Sequence, residues 1–139
     1  MTTIDWHQRA KNADLTIHHI IEGEHIEPTP GETIQKYAPR DGSLLYPLSV
    51  GTTADMERAI ASAKQAHKDK RWRGLPLHQR QTTLRKLADL MDAHQNTFAL
   101  YECLDVGKPI TQALGEVMQA SGMLREAAEG ADKLFSAYT

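Results

Sequence analysis

Residues 51–67 read GTTADMERAIASAKQAH, and this stretch decides the fold class because the hydrophobic period changes at its start. Upstream of Gly51 apolar residues tend to alternate with polar ones, as in strands, whereas downstream they recur about every 3.6 residues, as in helices. Thr52 and Asp55 form a capping-box pattern in which each side chain can satisfy the other residue's backbone amide. The predicted apolar face of this helix consists of Met56, Ala59, Ile60, Ala63 and Ala66.

The segment before Gly51 is predicted to consist of strands and hairpins. It is rich in β-branched residues and interrupted by turn-forming pairs, with a turn expected at Gly23-Glu24 and another at residues 40–43. Pro47 lies inside a predicted strand and therefore favours a sheet edge or a bend. A short amphipathic helix is expected within residues 1–12. The predicted strands are residues 15–22, 25–27, 32–38 and 44–50.

Two further helices are predicted after a linker at residues 72–77, in which Pro76 suits a first helical turn. The first has a leucine-rich stripe, continues past a break near His94 and ends at Gly107. The second covers residues 110–137, and its Gly122 and Gly130 suggest close backbone packing against a neighbour. The fold class is therefore α/β, with strands and hairpins in residues 1–50 and three or four helices in residues 51–139.

The composition excludes several classes of protein. The 139 residues carry a net charge of −2, which gives no reason to expect a nucleic-acid partner. No apolar run reaches the roughly 18 residues of a membrane span, so no membrane partner is expected. The first residues lack the pattern of a secretory signal, and one cysteine excludes an internal disulfide, so a cytoplasmic location is predicted.

Cys103 is the one thiol of the chain, and we interpret it as a packing residue. Its neighbours Glu102 and Asp105 are acidic, and it lies near the C-terminal end of a predicted helix. Both features raise the pKa of a thiol, whereas a nucleophilic cysteine needs a cation, a histidine or a helix N-terminus nearby.

Histidines and basic residues offer two alternative sites, neither of which has the expected spacing. His18 and His19 would point to opposite faces of a strand, so a shared ion with His25 is unfavourable. The basic residues around Trp72 could stack on a base, but in an acidic chain they more often form a solvated loop. From these residues alone, the chain is a module with no recognisable active site. The seven histidines are His7, His18, His19, His25, His67, His78 and His94.

Six short motifs, in order and at matching spacing, resemble the start of the NAD(P)-dependent aldehyde dehydrogenase superfamily. The family's ING-x-W hairpin, NPATGE turn, ADVDRAVAAAR helix, tryptophan linker, R-x-x-x-L-x-x-LADL helix and LDTGKP motif have counterparts here. Two departures are Ala38 in place of asparagine and Val106 in place of threonine. Trp6 and the stretch LADLMDAH look most like bacterial gamma-glutamyl-gamma-aminobutyraldehyde dehydrogenases. The counterparts are residues 21–25, 38–42 and 54–64, Trp72, residues 80–90 and residues 104–109.

The resemblance implies the N-terminal portion of the nucleotide-binding, Rossmann-like domain of such an enzyme, truncated before its catalytic cysteine and acidic base. It therefore implies no catalytic and no cofactor-binding residue in this chain, and NAD or NADP is expected to bind only the full-length family member. It also implies a monovalent cation site formed by Asp105 and the backbone carbonyls of Lys36 and Tyr37. The alternative is that Asp105 is a turn residue at a helix end.

The predicted helices have apolar faces that would cover a larger sheet, so the chain is expected to need a partner. The partner is expected to be the remainder of an aldehyde dehydrogenase chain or a second copy, and isolated residues 1–139 should be marginally stable or self-associating. The alternative function is a stand-alone interaction or oligomerisation module derived from an aldehyde dehydrogenase.

Overall fold

The computed structural model describes residues 4–26 and 32–135, with two short antiparallel hairpins followed by four helices. A short helix precedes the first hairpin, which confirms the prediction for this segment. The elements are α1 (Trp6–Lys11), β1 (His19–Ile21), β2 (Glu24–Ile26), β3 (Thr33–Tyr37), β4 (Leu44–Ser49), α2 (Thr53–Lys68), α3 (Leu77–Ala93), α4 (Gln95–Val106) and α5 (Ile110–Phe135).

The first hairpin pairs β1 with β2 and turns one residue earlier than the sequence suggested. Glu22 and Gly23 occupy the turn with φ of 61° and 82°, so the prediction of Gly23-Glu24 was wrong. A two-residue hairpin turn of this kind needs positive φ at both central positions. Residues 15–18 lie outside the strand, so β1 is also shorter than predicted, and Glu27 lies outside the described residues.

The second hairpin pairs β3 with β4 around the turn at residues 40–43. The carboxylate of Asp41 accepts hydrogen bonds from the backbone amide and the hydroxyl of Ser43, which closes the turn. Pro47 lies opposite Gln35. Within the described residues β4 pairs only with β3, which agrees with an edge position for a residue that lacks a backbone donor.

Helix α2 begins with the predicted capping box. Thr52 accepts from the backbone amide of Asp55 at 3.2 Å, and Asp55 accepts from the backbone amide of Thr52 at 2.8 Å. The predicted apolar face is present but uncovered, because Met56 is 62% exposed and Ile60 46% exposed. No residue of α2 is buried in the described structure.

The small core lies where α3 and α4 pack against α5. Its members are mostly alanines, which allow close approach of the helices, and Leu100 is the largest of them. Side-chain amides add cross-links: Gln81 donates to the carbonyl of Ala128 and Gln95 to the carbonyl of Leu114. The buried residues of these helices are Ala88, Ala99, Leu100, Ala113, Ser121 and Ala128.

The helix ends follow the sequence with one correction, at Pro76. The break at His94 separates α3 from α4, and Gly107 ends α4 with a φ of 80°. Pro76 caps α3 with an extended ψ of 146°, so it precedes the first helical turn and does not lie in it. Residues 136 and 137, the predicted end of α5, lie outside the described residues.

Gly122 and Gly130 do not mark close packing. A β-carbon at either position would meet nothing within 4 Å in the described part of the chain, so that prediction was wrong there. Gly130 lines an open groove together with Trp72 and Leu77. Among the described helices, none is long and apolar enough to cross a membrane.

Candidate functional site at the end of helix α4

Asp105, in the last turn of α4, connects this helix to the second hairpin. Its Oδ1 accepts a hydrogen bond from the hydroxyl of Tyr46 at 2.8 Å. The same oxygen lies 3.3 Å from the Nζ of Lys36. Lys36 and Tyr46 are cross-strand partners, so their side chains project from the same face of the hairpin and reach one carboxylate together.

The charge of Asp105 is stabilised by these two contacts. The hydrogen bond from Tyr46 lowers the pKa of Asp105 most, burial opposes this change, and Lys36 adds a smaller lowering. In turn, burial and the negative charge of Asp105 raise the pKa of Tyr46. The carboxylate therefore stays ionised, and the phenol stays protonated as the donor.

The turn at residues 38–42 and the motif at residues 104–109 meet at this junction. A β-carbon at Gly107 would lie 2.9 Å from the Cβ of Pro39, closer than such atoms approach without a shift. Glycine is therefore required at position 107 both by its left-handed backbone and by the neighbouring proline. The contact holds Pro39, next to the turn between β3 and β4, against the start of the α4–α5 connection.

Lys108 joins α4 to α5 electrostatically. Its Nζ lies 2.7 Å from Glu102 and also contacts the carboxylate of Glu116. Both hydrogen bonds raise the pKa of Lys108, and the same ammonium lowers the pKa of Glu116. Because the Lys108 ammonium contacts both carboxylates, we interpret Lys108 as a structural link between α4 and α5.

Cys103 is half-buried beside this cluster, and its thiolate is disfavoured. Burial raises the pKa of the Cys103 thiol most, Glu102 raises it further, and Lys108 opposes them. The direction agrees with the prediction, although burial contributes more than the acidic neighbours. This environment is the opposite of one that activates a nucleophile.

Two of the seven histidines contact each other. Among the described residues, no three histidine, cysteine or carboxylate side chains are grouped so that they could hold a metal ion. However, the rings of His18 and His25 meet edge to face at 5.5 Å. Sequence reasoning missed this contact because it misplaced the turn by one residue, and the register that pairs His25 with Ile20 follows from the turn.

The part of the chain that the structure describes lacks the doubly wound architecture that binds a dinucleotide at a glycine-rich turn. Its strands form two antiparallel hairpins, whereas the doubly wound dinucleotide site is built on parallel strands with a glycine-rich turn at a helix N-terminus. The sequence contains no G-x-G-x-x-G. No step of cofactor chemistry can therefore be assigned to the described residues.

Comparison with known proteins places this architecture in a family. Residues 25–138 match the model of the aldehyde dehydrogenase family. The NADP/NAD-dependent aldehyde dehydrogenase of Escherichia coli is 31% identical over 131 residues, which are 94% of this chain and 26% of that protein. The chain belongs to the aldehyde dehydrogenase family, which confirms the resemblance read from the motifs.

Solved structures agree with this assignment. The P. syringae indole-3-acetaldehyde dehydrogenase, a structure with NAD+, is 35% identical with a TM-score of 0.86 over 93% of this chain and 26% of its own. The gamma-glutamyl-gamma-aminobutyraldehyde dehydrogenase of Burkholderia cenocepacia is 31% identical with a TM-score of 0.87 over the same shares. The chain thus spans about a quarter of the length of these relatives.

Proposed function

We propose that this chain is the N-terminal part of an enzyme that oxidises an aldehyde to a carboxylic acid with NAD or NADP. We further propose that residues 1–139 alone neither bind the dinucleotide nor transfer hydride. The observation that carries the proposal is the family match over residues 25–138, which leaves about three quarters of the relatives' length unmatched. The chemistry would then lie in parts of the relatives that this chain does not match.

The exposed area supports the need for a partner. A compact monomer of 15.5 kDa exposes about 7,200 Å², whereas this chain exposes 10375 Å². An excess of about 3,000 Å² on one chain is at least as large as one partner's share of an obligate interface, whose total over both partners is about 2,000–5,000 Å². The surface is therefore that of a part to be covered by more protein.

Large apolar side chains are exposed on all four long helices and on both hairpins. Those on the helices are of residue types that normally pack in cores. We propose that they face the remainder of an aldehyde dehydrogenase chain, in the cytoplasm. The exposed apolar residues of the helices include Met56, Ile60, Leu87, Leu90, Phe98, Met118 and Met123.

The same surface favours a second candidate, a stand-alone module that associates with copies of itself. This candidate needs no chemistry and predicts a defined oligomer at low concentration. Under the first proposal, isolated residues 1–139 are marginally stable and associate non-specifically as their concentration rises. That residues 1–139 form one part of a single aldehyde dehydrogenase domain remains a prediction under both.

Two measurements test these proposals. The intact mass of the protein in its source cell should be several times 15.5 kDa if the chain belongs to a working dehydrogenase. A single species of 15.5 kDa would favour the stand-alone module. For the purified 139 residues we expect no NAD binding by calorimetry and no aldehyde-dependent NADH formation. Turnover by the purified chain would contradict the proposal.

A substitution on α2 tests whether its apolar face drives association. We expect Ile60→Glu to shift the sedimentation profile toward monomer, because a charge would have to be desolvated in any contact through this face. The matched control is Ala61→Glu, which adds the same charge at an adjacent exposed position of the same helix. A sharp, concentration-independent unfolding transition in the unmodified chain would contradict the predicted marginal stability.

A further inference from the structure

We infer that the ammonium group of Lys36, and not a bound monovalent cation, is the counter-charge of Asp105 in this chain. The family resemblance predicted a cation held by Asp105 and two backbone carbonyls. The structure instead brings a positively charged side chain of the same chain to 3.3 Å from the carboxylate. This inference concerns the site alone and does not depend on the proposed enzymatic activity.

The groups around Oδ1 of Asp105 act as hydrogen-bond donors and not as ligands of a cation. A hard cation needs several oxygen atoms with lone pairs directed at it. Here the hydroxyl of Tyr46 directs its proton at Oδ1 from 2.8 Å, and the ammonium of Lys36 directs N–H groups at the same atom. A cation on this oxygen would have to displace both donors or lie against a like charge.

The hairpin places Lys36 where it can compete with dissolved ions. Lys36 is opposite Tyr46 in the register of β3 and β4, so the strand pairing that positions the phenol also positions the ammonium. A tethered charge has a high effective concentration at its partner. A single carboxylate whose side chain is 46% exposed binds dissolved monovalent ions weakly.

The unmodified chain gives the first test. We would measure its unfolding midpoint in sodium, potassium and choline chloride at equal ionic strength, together with the backbone amide NMR shifts of Lys36, Tyr37 and Asp105. Choline provides ionic strength but is too large to enter a carbonyl-lined site. We expect midpoints equal within about 1 °C and the same amide shifts in all three salts. A sodium- or potassium-specific rise in the midpoint would overturn the inference.

Two variants of Lys36 give the second test. Lys36→Met should lower the midpoint by about 2–4 °C in all three salts, because Asp105 then lacks its counter-charge and dissolved ions replace it only weakly. Lys36→Arg retains the charge and should remain insensitive to the ion. A Lys36→Met chain with an unchanged midpoint would show that Lys36 is not the counter-charge. If that variant does not fold, the amide shifts of the unmodified chain still decide the question.

Discussion

Gly107 and Pro39 are packed so closely that a β-carbon on the glycine would lie 2.9 Å from the Cβ of the proline. The two residues are far apart in the sequence and belong to different family motifs. Their contact joins the turn between β3 and β4 to the end of α4. The hydrogen bond from Tyr46 to Asp105 joins the same hairpin to the same helix. The junction is therefore built from backbone geometry and from polar contacts together.

Replacing Gly107 by alanine should destabilise the chain by about 1–3 kcal/mol, because a left-handed φ of 80° and the contact with Pro39 both oppose a side chain. The matched control is Gly115→Ala, at a helical glycine with open space around it. That change should stabilise by about 0.5–1 kcal/mol. Urea unfolding measures both, and similar effects at the two positions would contradict the role of the junction.

Tyr46→Phe should destabilise the chain by about 1 kcal/mol, since it removes the donor to Asp105 and leaves the ring in place. Tyr37→Phe is the matched control, because Tyr37 lies on the neighbouring strand with its side chain mostly exposed. Its effect should stay within about 0.5 kcal/mol. Equal losses for the two variants would mean that the hydrogen bond contributes nothing beyond ring packing.

Acid should weaken the junction through Asp105. Its pKa is lowered in the folded state, chiefly by Tyr46, so its contribution is complete above the unfolded value of about 3.9. That contribution is lost as the pH falls through the folded pKa. Asp105→Asn should therefore reduce the fall in the urea midpoint below about pH 4. An acid profile identical to that of the unmodified chain would show that the carboxylate is not coupled to folding.

Cys103 should react slowly with a disulfide reagent such as Ellman's reagent while the chain is folded. Burial and Glu102 raise its pKa, and the thiolate is the reacting form. The rate should rise with pH around a midpoint above the ordinary value for cysteine, and urea should remove the difference. Glu102→Gln should lower this midpoint, because one of the two causes is then removed. Fast reaction of the folded chain at neutral pH would contradict the packing role.

Local features of the chain could be predicted because they depend on neighbouring residues. The capping box of Thr52 and Asp55, the break at His94 and the glycine end of α4 each follow from backbone amides and steric limits within a few positions. The family motifs could be recognised for the same reason, since each is a short string. The first turn was misplaced by one residue because both candidate pairs, Glu22-Gly23 and Gly23-Glu24, contain the glycine that such a turn prefers.

Contacts between distant segments were decided by the tertiary structure alone. The family resemblance implied a site of Asp105 with the backbone carbonyls of Lys36 and Tyr37. The structure shows the side chains of Lys36 and Tyr46 in contact with Asp105, and nothing in the sequence indicated Tyr46 there. Which charged group reaches a carboxylate depends on strand register and helix packing, and no local pattern encodes these. The sequence by itself therefore determined the elements, their order and the family. Only packing determined the counter-charge of Asp105 and the close contact of Gly107 with Pro39.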